Sequence, residues 1–333
     1  MVRTGKWRLV LIFALGFFLS MLAVPASAEI VYSYGINNTI TTPVSDQVRV
    51  TGSGTILHNR PGGKLSGSVT VTDGGSLYNT GDIYGAVRIE NGGLLRNIYQ
   101  QGSGGGSSSL GQIYPGATVT VADGGTMENN NNVWGTTILK GTGTITGNKH
   151  GYLSNLTVTE GGAFDTSKFQ GAIGGQFTLS ADGFLLFDVL SADQFSKLLL
   201  YTGLYLDPVL EGMIRVDFGD TFFSGFALEE TPSFDLASLF QTNYSMIGNE
   251  WVARGFYDFG AGFDWENRIN LSGTDGYLAT YNGSVVSFTK AATAVPEPAT
   301  LAIIALGLSG LGLARRRRKA FAGNEPSGFR GLS

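Results

Sequence analysis

The sequence predicts an all-β protein whose body is an irregular β-solenoid with a capping β-rich C-terminal part, flanked by an N-terminal signal peptide and a C-terminal transmembrane helix. Two observations predict the solenoid. Glycine accounts for 50 of 333 residues, about twice its usual share of ~7%, and occurs with abundant Thr, Ser, Asn and Val, as in short strands joined by tight turns. A strand-and-turn unit also repeats along the body at variable spacing.

Residues 1–28 have the three parts of a secretory signal peptide. MVRTGKWR is basic, LVLIFALGFFLSMLA is apolar, and Ala26-Ser27-Ala28 has the A-x-A form of a cleavage site. An uncleaved N-terminal anchor is the competing interpretation. The abrupt change to polar residues at EIVYSYGINN favours cleavage after Ala28, so the mature protein is predicted to leave the cytoplasm through the general secretion machinery.

Residues 29–225 are predicted to form the solenoid. SVTVTDGGSLYNTGDIYG at 68–85 aligns without a gap with TVTVADGGTMENNNNVWG at 118–135. The Val-Thr alternation places valines on one face of a strand and threonines on the other, and Asp-Gly-Gly then turns the chain. One unit buries only a thin apolar strip, but stacked units bury a continuous one. The residues before the Gly-Gly pairs are predicted as turn residues rather than Ca²⁺ ligands: Asp73, Asn91, Asp123 and Glu160.

A β-sandwich or an up-and-down sheet, with turn signals every ~8–12 residues, is the alternative fold. The solenoid is favoured because sandwich strands rarely repeat one strand-turn pattern in register. The repeats over about residues 45–220 resemble those of autotransporter passengers. That resemblance implies a right-handed parallel β-helix.

The sequence beyond residue 180 is richer in aromatic residues and leucine than the repeats. Solenoids need atypical terminal units that close the exposed end. Residues 226–294 are therefore predicted as a β-rich cap or small subdomain, with strand-like segments in WVARGFYDFG and GYLATYNGSVVSFTK.

The charge distribution excludes nucleic acid as a partner. The formal net charge is −4, but residues 29–298 hold 13 Lys and Arg against 25 Asp and Glu, a net charge of −12. Binding to nucleic acid depends on neutralising phosphates and needs the opposite sign. The chain has no cysteine and two histidines, so disulfides, thiolate zinc sites and cysteine nucleophiles are excluded. No metal and no cofactor is predicted.

No catalytic constellation is visible, so an enzyme is not predicted. Glycoside hydrolysis needs two carboxyl groups roughly 5–10 Å apart. The sequence fixes no such geometry for the acidic candidates, which are Asp217, Asp220, Asp258, Asp264 and Glu266. Aromatic residues near the rung ends are the best indication of a sugar-stacking surface, although core packing is their commoner role. They are Tyr78, Tyr84, Tyr99, Tyr114, Trp134 and Tyr152.

A short apolar run near the C-terminus predicts the transmembrane helix. Residues 299–314 carry no charge and would span ~24 Å as a helix, less than the ~30 Å hydrocarbon core unless flanking arginines snorkel. The basic cluster that follows would hold that end in the cytoplasm and leave the body outside. Its members are Arg315, Arg316, Arg317, Arg318 and Lys319. Residues 320–333 form a short polar tail.

The order of parts in VPEPATLAIIALGLSGLGLARRRR resembles a PEP-CTERM sorting signal over residues 295–319. Ahead of the apolar run, the resemblance is carried by Val295, Pro296, Glu297 and Pro298. It implies recognition and processing by exosortase, a membrane transpeptidase, in a Gram-negative bacterium that makes exopolysaccharide and biofilm. The tail after the arginines departs from the family's usual pattern.

Two functions remain open at this point. The first is an exported protein, transiently anchored in the inner membrane and processed by exosortase. It would then act at the cell surface or in the biofilm matrix, in a structural or adhesive role toward extracellular polysaccharide. The alternative is a secreted polysaccharide-active β-helix enzyme, a lyase or a glycosidase. A groove with clustered acidic and basic side chains would favour the enzyme, and smooth polar faces would favour the structural role.

Overall fold

The structure is a computed structural model. It describes residues 28–99, 111–200, 208–227, 230–242, 245–247, 250–252, 255–260 and 262–291. The described residues divide into two units, one within residues 28–275 and 279–289, the other comprising residues 276–278 and 290–291. The predicted signal peptide other than Ala28, and the whole predicted sorting segment, lie outside the described residues. Within the described residues, no helix is long and apolar enough to cross a membrane.

The first unit is built from rungs in which three short strands follow one another around a coil. Each strand pairs in parallel with its counterparts in the rungs before and after. Val69 pairs with Val48 and with Val87, so one turn of the coil takes 21 residues in the first case and 18 in the second. This pairing is the pattern of a parallel solenoid and not of a sandwich, which confirms the predicted all-β solenoid. The right-handed sense stays a prediction.

The first sheet contains the strand that precedes the Gly-Gly turn of each rung. Its strands are Glu29–Tyr32, Gln47–Thr51, Val69–Thr72, Val87–Ile89, Thr118–Val121, Asn132–Lys140, Tyr152–Thr159, Phe177–Leu179 and Val209–Leu210. The predicted alternation holds, since Val69 and Val71 are buried while Thr70 between them is half-buried. Aliphatic side chains of successive rungs thus form the continuous strip expected of stacked units.

The second sheet contains the strand that follows the Gly-Gly turn. Six parallel strands form its first part: Asn37–Ile40, Ile56–Asn59, Ser76–Asn79, Leu94–Ile98, Thr126–Asn130 and Thr144–Thr146. Four parallel strands of later rungs form a further sheet: Ala163–Asp165, Phe184–Val189, Met213–Phe218 and Ile269–Ser272. The last of these lies in the segment predicted as a cap, so parallel stacking extends into residues 226–294.

The third sheet closes each rung. Its short strands are Pro43–Val44, Lys64–Leu65, Asp82–Ile83, Ala172–Ile173, Leu198–Leu200 and Phe240–Thr242. The first parts of the two long strands that begin at Asn132 and Tyr152 also belong to it. Ile113 bridges the gap between the rungs of Ile83 and Val133. Gly255–Phe256 pairs antiparallel with its last strand.

The turn between the first and second sheets explains the Gly-Gly pairs. Asp73 and Gly74 have φ values of 52° and 78°, the pattern of a type I′ turn. The Gly75 N–H donates to the Thr72 carbonyl at 2.9 Å. Gly75 is needed for another reason, because a Cβ there would lie 2.6 Å from the Val50 carbonyl oxygen of the preceding rung. The first glycine therefore serves the turn, and the second allows adjacent rungs to approach closely.

Short helices and antiparallel strands follow the main rungs. The α-helices are Asp220–Ser224 and Trp265–Arg268, and the 3₁₀ helix is Leu236–Leu239. The remaining strands are Ser233–Asp235, Ser245–Ile247, Glu250–Val252, Tyr277–Asn282 and Val285–Lys290. Phe218 of the parallel sheet packs against Phe222, Phe234 and Phe288, with ring centroids 4.7, 5.8 and 4.9 Å away. This phenylalanine cluster joins the last rungs to the antiparallel strands.

Candidate functional site

Four of the six predicted aromatic residues lie on successive rungs of the third sheet and form what we call the aromatic strip: Tyr84, Tyr114, Trp134 and Tyr152. The register places the first three in one column. They directly follow Ile83, Ile113 and Val133, which are inward-facing and bridged to one another in successive rungs. Because neighbouring residues of a strand point to opposite faces, these rings are placed on the outside. Tyr152 pairs with Asn132 and so lies two residues out of that column, but its ring reaches that of Trp134.

The rings of the aromatic strip contact one another in two pairs. Tyr84 and Tyr114 stack with centroids 4.4 Å apart and planes 17° apart, and Trp134 meets Tyr152 at 5.0 Å with a tilt of 51°. The indole Nε1 of Trp134 donates to Gln112 Oε1 at 3.0 Å. Tyr84 is 39% exposed and Trp134 38% exposed. The strip thus presents apolar ring surface and phenol hydroxyl groups to solvent, with its rings held in place by one another.

Small residues border the strip at both ends. Ser66 follows Leu65, the partner of Ile83, so it precedes Tyr84 in the column and is exposed. At the other end, a Cβ on Gly174 would overlap the phenol of Tyr152, so glycine is required where that ring lies. At its N-terminal end the strip is thus bordered by an exposed serine and not by a bulky side chain.

The carboxyl group of Asp82 acts on the phenol of Tyr114 in the strip. Burial raises the pKa of the Asp82 carboxyl above its ordinary value, although Lys64 partly opposes this. Burial also raises the pKa of the Tyr114 phenol, with smaller contributions from the Asp82 charge and a hydrogen bond with Tyr84. The phenol is neutral at physiological pH, so it can both donate and accept hydrogen bonds.

The other two predicted aromatic residues lie elsewhere. Tyr78 is on the second sheet, edge-on to His58 at 5.2 Å, with the Arg96 guanidinium 5.3 Å from its ring centroid. Tyr99 stacks on His150 at 5.6 Å. Both are engaged in local contacts and do not extend the strip.

The acidic candidates for catalysis are placed at caps, turns and rung contacts. Asp264 caps the helix Trp265–Arg268, accepting the Asn267 N–H at 3.1 Å. Asp258 accepts a backbone N–H two residues on at 2.8 Å, and Asp217 accepts a serine hydroxyl of the next rung at 2.7 Å. Asp220 and Glu266 lie in first turns of short helices. Across the described residues, no group of three or more His, Asp or Glu side chains could hold a metal ion.

Sequence reasoning missed a buried column of asparagines inside the second sheet, which we call the asparagine ladder: Asn59, Asn79, Asn97 and Asn129. All four are 0% exposed. Each Nδ2 donates to the Oδ1 of the next member, at 2.8, 2.9 and 2.9 Å. The alignment of Asn79 with Asn129 in the repeat was the available signal, but a buried and a turn asparagine look alike in sequence.

Residues 294–319 match the family described as the PEP-CTERM protein-sorting motif. The chain carries a PEP-CTERM sorting motif. The resemblance drawn from the sequence over residues 295–319 is thereby confirmed. The motif implies export, association with the membrane and processing by exosortase. Which of its residues act in recognition stays a prediction, since the segment lies outside the described residues.

No curated protein matches the chain. Among solved structures, the chain is similar to a TibC-catalysed, hyper-glycosylated fragment of TibA, with 15% sequence identity and a TM-score of 0.21. The similarity covers 58% of this chain and 83% of that fragment. The fold described above rests on the strand register of this chain.

Proposed function

We propose that the protein acts at the cell surface or in the biofilm matrix of a Gram-negative bacterium, where its solenoid has a structural or adhesive role and binds extracellular polysaccharide along the aromatic strip. The observation that carries this proposal is the strip itself, four rings aligned along the solenoid in a chain that carries a sorting motif. Exosortase acts first, as the membrane enzyme that processes the exported protein at Pro296-Glu297-Pro298.

The chemistry of the strip suits a sugar polymer. Aromatic rings supply apolar area, while phenol and indole groups supply hydrogen bonds at one end of each side chain. Adjacent rungs are about 4.8 Å apart, so the strip repeats its contacts along a line that an extended polymer can follow. The net charge of −12 on residues 29–298 repels polyanions, so a neutral polysaccharide is the expected ligand.

The proposal assigns no catalytic role to the body. The acidic side chains considered for hydrolysis lie in caps, turns and a rung contact, where their hydrogen bonds serve the fold. The alternative, a secreted polysaccharide-active enzyme, requires two carboxyl groups facing one bond at roughly 5–10 Å. It would release reducing ends from a polysaccharide that the structural protein only binds.

Binding to the strip is tested by affinity electrophoresis of the full chain in gels containing neutral polysaccharides such as dextran or cellulose derivatives. Replacing both Tyr114 and Trp134 with alanine is expected to weaken retardation about tenfold, because two stacking rings are lost. The matched control is Tyr34→Ala, since Tyr34 is 92% exposed and lies outside the strip. Equal loss in the control, or unchanged retardation in the double variant, would contradict the role of the strip. Release of reducing ends would favour the enzyme.

Processing is tested by fractionation and C-terminal sequencing of the protein from cells that contain exosortase. The mature form is expected to lack the basic cluster, and the double variant Pro296→Ala with Glu297→Ala is expected to retain it in the membrane fraction. A variant with Ala299→Gly is a suitable control, because it changes the apolar run and leaves the motif intact. An inner-membrane species with an intact basic cluster in the unaltered protein would contradict processing.

A further inference from the structure

A cleft of about 920 Å³ opens between the second and third sheets in the later rungs. Its volume falls within the roughly 300–1,000 Å³ typical of small-molecule sites. It lies on the rungs that follow the aromatic strip, since Tyr152 pairs with Ala172, which pairs in turn with Leu199 of the cleft lining. No sequence motif predicts it. The side chains that bear on its chemistry are Asp188, Gln170, Gln194, Gln241, Phe195 and Phe256.

One wall of the cleft is an insertion in the rung that follows Phe184–Val189. The chain reverses after Leu190, and Phe195 pairs antiparallel with Val189. Backbone hydrogen bonds at 2.8 Å, from Leu190 to Gln194 and from Ser196 to Asp188, hold the reversal. This rung therefore departs from the plain three-strand coil and adds a flap beside the groove.

Hydroxyl groups fix the base of this wall. The Thr166 and Ser196 hydroxyls lie 2.7 Å apart, and Thr166 donates to the Leu186 carbonyl at 2.8 Å. Ser196 Oγ accepts the Asp188 N–H at 2.9 Å. The backbone that carries Asp188 is thus held from two sides, which preorganises the cleft for a ligand.

Four polar side chains of the cleft hold no hydrogen bond with any other described residue: Gln170, Asp188, Gln194 and Gln241. An amide can donate two hydrogen bonds and accept two, and a carboxylate accepts only. Amides and a carboxylate that line one space and make no hydrogen bond with the described residues match the mixed donors and acceptors of sugar hydroxyl groups. Phe256, 59% exposed, and Leu190, 43% exposed, add apolar surface for the faces of the rings.

Charge in the cleft is nearly balanced. Asp188 and Lys197, of opposite charge, both line it, and the Lys197 ammonium lies 4.9 Å from the Phe195 ring centroid. A uronic acid or an amino sugar would be attracted by one member of this pair and repelled by the other, so its net electrostatic gain would be small. An uncharged sugar therefore binds at no electrostatic disadvantage to a charged one. A peptide strand would instead need a run of matching backbone groups, and the exposed groups here are side-chain amides.

We propose that this cleft binds a short segment of neutral oligosaccharide, as a second site separate from the aromatic strip. The proposal rests on the proposed polysaccharide-binding function and deepens it, since the strip would follow an extended polymer while the cleft takes a few sugar residues. Two neighbouring sites on one solenoid allow one protein molecule to bind a single polymer at both sites, which raises the apparent affinity for polymers over that for short oligosaccharides.

The test is isothermal titration calorimetry of the purified full chain with maltotetraose, cellotetraose and chitotetraose. Binding of at least one is expected, and Asp188→Ala and Gln241→Ala are each expected to raise its Kd about fivefold or more, because each removes hydrogen bonds to the ligand. Asp182→Ala is the matched control, an exposed acid in a turn of the same rung. Equal melting temperatures show that the variants are folded.

The outcomes separate the two sites. Weaker tetrasaccharide binding in the cleft variants, with unchanged binding in Trp134→Ala, supports the cleft as an independent site. Unchanged affinity in both cleft variants, or no tetrasaccharide binding at all, overturns the cleft. In that case polymer retardation that still depends on Trp134 leaves the proposed function standing. Loss of retardation in the strip variants alone cannot be explained by the cleft.

Discussion

The second inward-facing position of the second-sheet strands is filled very differently in the early and the late rungs. From residue 59 to residue 129 it holds the asparagine ladder, whose members bond to one another. In the later rungs the corresponding positions are Phe187 and Val216, which pair in register. Both kinds of residue are fully buried. One half of the solenoid therefore stacks through side-chain hydrogen bonds, and the other through apolar volume.

This difference shows that the choice of strand register and the gain in stability come from different contacts. A buried amide without a partner costs free energy, so the asparagine ladder favours one register in which every member meets the next. Phenylalanine buries more apolar area, and this stabilisation is not directional as a hydrogen bond is. The ladder also has an unfavourable end at Asn59. Its register partner in the preceding rung is Ile40, and its Oδ1 atom has no hydrogen-bond partner among the described residues.

The largest effect is expected from Phe218→Ala in the late rungs. Phe218 is 1% exposed and lies at the centre of the phenylalanine cluster, so its loss should lower the free energy of unfolding by about 3–5 kcal/mol. Chemical denaturation of the full chain measures the change, with Phe256→Ala as an exposed control. Because rungs contact mainly their neighbours, amide exchange should rise in residues 213–272 before residues 47–98. Simultaneous exchange in both regions would contradict a division into two halves.

A smaller effect is expected from Asn97→Ala in the early rungs. Asn97 accepts from Asn79 and donates to Asn129 and to the Asn132 carbonyl, so three hydrogen bonds are lost, at about 1 kcal/mol each. The matched variant Asn59→Ala removes two bonds and also an unpaired buried oxygen. It should therefore cost clearly less, about 1–2 kcal/mol. Equal costs, measured by the same denaturation, would show that the ladder acts through volume alone.

The strand-and-turn repeat can be predicted from the sequence because it depends on the residue types within a short segment. Val69 and Val71 alternate with threonine, and Asp73 with Gly74 adopts the positive φ of the turn, as the residue types require. The second glycine was assigned to the turn by the same reasoning. Its role is instead to admit the carbonyl oxygen of the preceding rung, which is a contact between residues about 25 positions apart.

The sequence predicts the candidate site only in part, because the site depends on contacts between rungs. The sequence indicates six aromatic residues near the rung ends. Only the strand pairing of the third sheet shows that four of them form the strip and that Tyr78 and Tyr99 lie elsewhere. No sequence pattern predicts the cleft, since Asp188 and Gln241 line one space only through the flap and the stacking of rungs that are distant in the sequence.

The sequence by itself determined the β-solenoid class and the sorting motif, because both depend on the order of residues within short segments. The tertiary structure decided which polar side chains are buried and paired, as in the asparagine ladder, and which remain free to meet a ligand, as in the cleft. The physical reason is that burial and pairing are properties of rungs in contact. Residues far apart in the chain must be brought to one register before an amide becomes either a structural bond or a binding group.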